Sequence, residues 1–205
     1  MNTKNLTRRL MCALTLSIGV LSMQVTQAQD APKTAGAPQV KFVTNMGEFV
    51  VEVYPDKAPK TAENFLQYVR DKHYEGTIFH RVIANFMIQG GGYDARYIER
   101  PTRAPVMHEG LEALSKGGPR NTVGTIAMAR TNAPHSATAQ FFINVVDNGF
   151  LDPSPQQPGY TVFGKVVSGM DVVNRIRAIP TGFGGPFPSD VPRTPVVIKS
   201  ATVLP

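Results

Sequence analysis

Phe79-His80-Arg81-Val82-Ile83-Ala84-Asn85-Phe86-Met87-Ile88-Gln89-Gly90-Gly91-Gly92 sets one permanent cation, Arg81, among Phe79, Val82, Ile83, Phe86, Met87 and Ile88. A guanidinium in so apolar a run is expensive to bury unless it has a task or a partner. Asn85 breaks the run into two short strand-like pieces. Strand alternation sends Phe86 and Ile88 to one face and Met87 and Gln89 to the other. A bulge or twist brings three of these to one surface. The glycines then permit a sharp turn or a close backbone approach.

Two later stretches match this one in character. Gly124-Thr125-Ile126-Ala127-Met128-Ala129-Arg130 leads, through a polar connector, to Gln140-Phe141-Phe142-Ile143-Asn144-Val145. Phe150-Leu151-Asp152 is followed by Tyr160-Thr161-Val162-Phe163-Gly164-Lys165-Val166. Both supply aromatic and aliphatic strand surface with a polar group at the edge.

The ordered set FHRVI..FMIQGG, GTIAMA, QFFI, FLD and VFGKV resembles the cyclophilins, the peptidyl-prolyl cis/trans isomerases. The similarity runs from about Val40 to the carboxyl end. Several spaced motifs in the right order are far more specific than any one alone. With the leader described below, the chain looks most like a bacterial periplasmic cyclophilin. The resemblance implies an enzyme that rotates X-Pro imide bonds of unfolded or extended polypeptides and needs no cofactor or metal. It implies Arg81 as the catalytic donor. Phe86, Met87, Phe142 and Leu151 would line the hollow for the proline ring. Gln89 would hold the arginine and the substrate carbonyl. Ala129 and Arg130 would pair with the peptide backbone, and Gln140 would help fix it. Many family members carry Trp where Phe150 stands, His where Tyr160 stands and Asn where Arg130 stands. Phe150 and Tyr160 still supply ring surface for substrate. Loss of the Trp leads us to expect weaker binding of the cyclic peptide cyclosporin.

The bland readings differ residue by residue. Arg81 could be a structural ion pair, Phe86, Met87 and Phe142 plain core, and Gln89 and Gln140 strand caps. His80 reads as a hydrogen-bonded core histidine. The other class of function open to such a groove is a non-catalytic proline-peptide module or a holdase. Gln89-Gly90-Gly91-Gly92 is no phosphate loop, since no Lys-Ser/Thr follows. Ser136 lies in no Gly-x-Ser-x-Gly elbow, which leaves a hydrolase remote. His73, His80, His108 and His135 show no metal spacing.

The first residues read as an address. Lys4, Arg8 and Arg9 precede a mostly apolar Leu10 to Leu21, and Thr26-Gln27-Ala28 offers small residues for cleavage. That apolar core suits a cleavable signal better than a membrane span. We therefore expect a signal peptide at 1–28, a flexible leader at 29–38, and one domain at 39–205, exported to the periplasm. Cys12 is the only cysteine, so the exported form would have none, which excludes disulfides and thiol chemistry. Cleavage of 28 residues from 205 leaves 177, enough for one sizeable core. It also removes three of the net +6 charges, leaving +3. So mild an excess argues only weakly for nucleic acid or an anionic membrane, no basic run supports either, and we expect neither as a partner of the exported form; no coiled-coil pattern argues against a monomer.

Elsewhere Ala62, Phe65, Leu66 and Val69 make one apolar stripe on a helix over 58–70, with Pro59 suited to its first turn. Val172, Val173 and Ile176 do the same for 170–178. Short strands dominate the rest, and 182–195 reads as a Pro/Gly loop. The long 94–120 segment is mostly loop, with 110–114 weakly helical. The pattern predicts an all-β barrel with a helix at either end. The resemblance adds the detail: a closed eight-stranded antiparallel barrel capped by two α-helices.

Overall fold

The computed structural model describes residues 36–205. The expected signal peptide and most of the 29–38 leader lie outside them. Ten strands run in chain order: β1 (Gln39–Thr44), β2 (Gly47–Val53), β3 (Arg81–Ile83), β4 (Met87–Gly90), β5 (Thr125–Met128), β6 (Phe141–Asn144), β7 (Val162–Ser168), β8 (Thr181–Gly184), β9 (Phe187–Pro192) and β10 (Ile198–Val203). Helices are α1 (Pro59–Arg70), α2 (Gly110–Ser115) and α3 (Met170–Arg177), with a 3-10 turn at Gly149–Leu151.

Eight strands form one antiparallel sheet in the order β10-β1-β2-β7-β5-β6-β4-β3. The sheet is an open half-barrel, which corrects the expected closed barrel. Its edges, β3 and β10, do not pair as strands. They approach only through a bridge between Ile78 and Val197 beside them, where the Phe79 N–H donates to Val196 O at 3.0 Å and the Ile198 N–H to Thr77 O at 2.8 Å. Continuing that pairing toward β3 would set His80 opposite Pro195. Instead the Pro195 carbonyl accepts from Asn45 Nδ2 at 2.9 Å, and β9 packs beside β3.

Two other expectations change. The described residues hold three helices rather than two, because 110–115 closes a full helical turn. The presumed loop at 182–195 holds a hairpin, β8–β9, packed beside β3. Its glycines and prolines hid it, since both residues are usually depleted in strands.

The long 94–120 segment has a structural task. Helix α1 begins after Ala58, whose side chain cannot cap it. The buried Glu109 carboxylate does so from a distance. It accepts from the Lys60 N–H at 3.1 Å, the Thr61 N–H at 2.7 Å and the Thr61 hydroxyl at 2.7 Å. Free N–H groups and the positive end of the helix dipole both favour an anion there.

Alternation then divides the apolar residues into two clusters. The larger one joins Phe42, Phe49, Ile88, Ile126, Phe141, Ile143 and Phe163 to Phe65 of α1 and Ile176 of α3. Its rings pack closely, with Phe42 stacked on Phe49 at 5.0 Å and Phe65 tilted on Phe163 at 4.9 Å. The predicted stripes of α1 and α3 are all buried in it. The smaller cluster holds Met87, Ala127, Phe142, Leu151 and Val162. All but Leu151, which comes from the 3-10 turn, lie on strands of the same sheet but face the other way.

Candidate active site

The register explains how the smaller cluster becomes a site. Arg81 of β3 pairs with Gln89 of β4, Gln89 with Phe142 of β6, Phe142 with Ala127 of β5, and Ala127 with Val162 of β7. Paired residues on neighbouring strands share a face. One row therefore runs from a guanidinium, through an amide, onto an apolar floor. The next row, Val82, Ile88, Ile143 and Ile126, faces the main core.

Above that floor lies a cleft of about 330 Å³. Arg81, Phe86, Met87, Gln89, Ala129, Arg130, Gln140, Phe142, Leu151 and Tyr160 all line it. Of the residues singled out from sequence, only Phe150 stands outside this lining. It is 66 % exposed on the rim, stacked on Phe86 with ring centres 5.6 Å apart. Phe86 shares the cleft with Met87, contrary to simple alternation. It precedes β4 in the turn, where its N–H donates to Ile83 O at 3.0 Å, so strand geometry does not govern it.

Arg81 is not buried, although its neighbours in sequence are apolar. It opens an edge strand, so its side chain reaches the cleft while remaining 44 % exposed. Among the described residues its guanidinium makes no hydrogen bond. Its nearest carboxylate, Asp190 of β9, lies 3.9 Å away, a loose surface pair worth little. Its N–H groups are thus available to a ligand.

The amides are tied to one another: Gln89 Nε2 donates to Gln140 Oε1 at 3.0 Å. The glycine run makes room for this. A Cβ on Gly92 would lie 2.5 Å from Gln140 Cδ, and one on Gly91, at φ +86°, would lie 2.8 Å from Tyr74 Cε1. Arg130 is anchored elsewhere. Its Nε and Nη2 donate to Gly159 O at 3.0 and 2.8 Å, and its guanidinium lies 4.7 Å from the centre of the Tyr160 ring. Tyr160 in turn meets Phe142 edge-on at 5.4 Å. One wall is therefore a charged and aromatic stack with little freedom.

Three lining residues were missed from sequence: His80, Tyr93 and Phe187. Phe187 sat in the stretch read as loop, and Tyr93 follows the glycines with no pattern around it. His80 is 3 % exposed, as a core histidine should be, and its buried Nδ1 has no hydrogen-bond partner within 3.5 Å among the described residues. It stacks on Phe187 at 5.3 Å and meets Tyr93 at 4.8 Å. Burial, opposed by the Ile78 backbone and aided by the Arg81 charge, holds its pKa down to about 4. At neutral pH it is uncharged, and Arg81 and Arg130 supply the positive charge of the cleft. Among the described residues no group of three His, Cys, Asp or Glu is placed to hold a metal ion. No helix among them is long and apolar enough to cross a membrane.

Residues 39–203 match the family model described as cyclophilin type peptidyl-prolyl cis-trans isomerase/CLD. The chain is 52 % identical over 167 residues to peptidyl-prolyl cis-trans isomerase B of Escherichia coli, covering 80 % of this chain and 98 % of that one. It is 42 % identical over 189 residues to peptidyl-prolyl cis-trans isomerase A of Dickeya dadantii, covering 92 % and 96 %. Among solved structures, a cyclophilin type isomerase of Cryptosporidium parvum superposes with a TM-score of 0.64 at 24 % identity, over 82 % of this chain and 98 % of that one. The same protein was also solved in the presence of the dipeptide Ala-Pro.

Proposed function

The chain belongs to the cyclophilin-type peptidyl-prolyl cis-trans isomerases, and from that premise we propose how its cleft performs the reaction and on which substrates. The reaction is rotation about X-Pro imide bonds. Resonance opposes it with a barrier of roughly 18–20 kcal/mol. No covalent bond is made or broken, so the step asks for no nucleophile, redox group or cofactor. It asks for a surface that binds the twisted imide better than either planar form.

In the twisted imide the prolyl nitrogen is pyramidal and carries a lone pair. An Arg81 N–H donates to that nitrogen, which weakens resonance and favours the transition state. The guanidinium stays charged at any working pH, and the apolar floor beside it strengthens its hydrogen bonds. Phe86, Met87, Phe142 and Leu151 receive the proline ring. Gln89 and Gln140 hold the preceding carbonyl, while Ala129 and Arg130 run alongside the extended backbone. Tyr160 and Phe150 add ring surface at the two ends. The observation that carries this reading is the single cross-strand row from Arg81 to Val162, with a cation at one end of a greasy floor.

The substrates in this reading are extended proline-containing segments of exported proteins, met by a monomer in the periplasm after cleavage of 1–28. The basic start, short apolar core and small residues before Gln29 support export, as does the lack of cysteine beyond Cys12. On this organisation 29–38 is a tether and 39–205 the catalytic domain. Amino-terminal sequencing of exported material tests it, and a start other than Gln29 rejects the cut site.

The decisive test of mechanism compares proline isomerisation by the native protein and Arg81→Ala. Loss of about 10²–10³ in rate is expected for one transition-state donor. Equal rates would leave a peptide-binding module without turnover.

A further inference from the structure

Behind the apolar cleft sits a polar cluster with no part in the mechanism above. Asn121, Asn144, Asn148 and Asp152 are all at most 5 % exposed. Polar groups so deep are costly unless they satisfy one another. Here they do. Asp152 Oδ1 accepts from the Asn121 backbone at 2.7 Å and from its amide at 3.0 Å, and Asp152 Oδ2 accepts from Arg120 at 3.2 Å. Asn144 Nδ2 donates to Asn121 Oδ1 at 3.2 Å and to Thr125 Oγ1 at 2.9 Å.

Asn148 joins this cluster to the cleft. Both hydrogens of its amide nitrogen are engaged, one with Asn144 Oδ1 at 2.7 Å and the other with the main-chain carbonyl of Phe86 at 2.9 Å. Its own N–H donates to Asn121 O at 2.7 Å, and its carbonyl accepts from the Leu151 N–H at 2.8 Å. Asn148 thus shares the Phe86 carbonyl with the Val145 N–H, which donates to it at 3.1 Å, and also starts the 3-10 turn that carries Leu151. Both side chains line the cleft. A hydrophobic residue in this place would pack without any such directional hold, so the amides specify geometry more than they add stability.

We infer that Asn148 is a positioning residue that sets substrate specificity: by fixing Phe86 relative to Leu151 it holds the hollow to the size of a proline ring. The inference rests on the proposed role of those two side chains. With the Asn148 bond gone, the Phe86 carbonyl keeps only the Val145 N–H, the wall gives and ring size is read less strictly.

The experiment measures kcat and KM for isomerisation of three peptides that differ only in the cyclic residue. One carries proline, one the ring smaller by a methylene (azetidine-2-carboxylate), and one the ring larger by a methylene (pipecolate). In a fitted apolar site one methylene commands roughly a 10–200-fold preference, and we expect Asn148→Ser and Asn148→Ala to erase about fivefold of the proline preference over the larger ring. KM for the proline peptide should rise more than kcat falls. Because the readout is a ratio, it does not depend on how much of the variant is folded. A uniform loss of rate with an unchanged ring-size ratio overturns the inference and leaves Asn148 a stability residue. If neither variant folds, Asn144→Ser carries the test, since it keeps the bond to Phe86 but removes its companion. It should then shift the ratio by about twofold in the same direction, and no shift is equally fatal. Failure of the catalytic reading itself looks different: native protein and Arg81→Ala would then isomerise the proline peptide at equal rates.

Discussion

Phe141 and Phe142 are neighbours in sequence and lie on opposite faces of β6. Phe141 belongs to the aromatic core, fully buried, and meets the ring of Tyr74 edge-on at 5.4 Å. Phe142 lies on the floor of the cleft. The two apolar clusters draw on the same strands and the same alternation. What separates them is cover. Helices α1 and α3 close one face, whereas the other is left open and bordered by Arg81, Gln89, Gln140 and Arg130. Apolar surface is thus a core or a ligand site according to what the rest of the chain lays over it.

Truncation of each face separates the two roles. Phe141→Ala should cost about 3–5 kcal/mol of stability, read from urea unfolding. Arg81→Ala, at the open end of the other face, should leave stability within about 0.5 kcal/mol while removing turnover as described. A large stability loss at Arg81 would mean that the row serves the fold.

His80 belongs to both regions, since it is buried yet lines the cleft. Unfolded, its imidazole takes up a proton near pH 6.5; folded, it does so only near 4. The unfolded chain therefore holds more protons between those values, and stability falls as pH drops from 6.5 to 4. The full loss from this group is about 3 kcal/mol, reached at the acid end. His73 and His108, both shifted down mainly by burial, act in the same direction. Unfolding curves measured across that range should show the slope, and His80→Gln should flatten it. An unchanged slope in the variant would assign the acid sensitivity elsewhere.

Glu109→Ala tests the covering helix. Leaving the first N–H groups of α1 without their acceptor should cost roughly 1–3 kcal/mol. The smallest effect should come at the rim. Phe150→Trp should strengthen cyclosporin binding by about 1 kcal/mol, seen by titration, with stability unchanged because the side chain is exposed.

The sequence made local periodicity plain. Ala62, Phe65, Leu66 and Val69 could be assigned to one helix face, and Val172, Val173 and Ile176 to another, because side-chain direction repeats over a few residues. The lining of the cleft was legible chiefly through motif order, as nothing local distinguishes Phe142 from Phe141. Long-range facts were not. The gap between β3 and β10 lies where Asn45 takes the Pro195 carbonyl, 150 residues along the chain. The β8–β9 hairpin, with Phe187 beside His80, depends on a neighbour to pack against. The links among Asn121, Asn144, Asn148 and Asp152 join side chains that have no shared spacing.

The cap supplied by Glu109 also bears on the order of assembly. The carboxylate lies 48 residues beyond the Thr61 amide that it accepts. During synthesis, amino end first, the opening turn of α1 leaves the ribosome long before its acceptor does. That turn must wait, held by water, until the middle of the chain arrives. The helix that roofs the aromatic interior is thus among the first segments made, yet its opening turn is completed only from the middle of the chain.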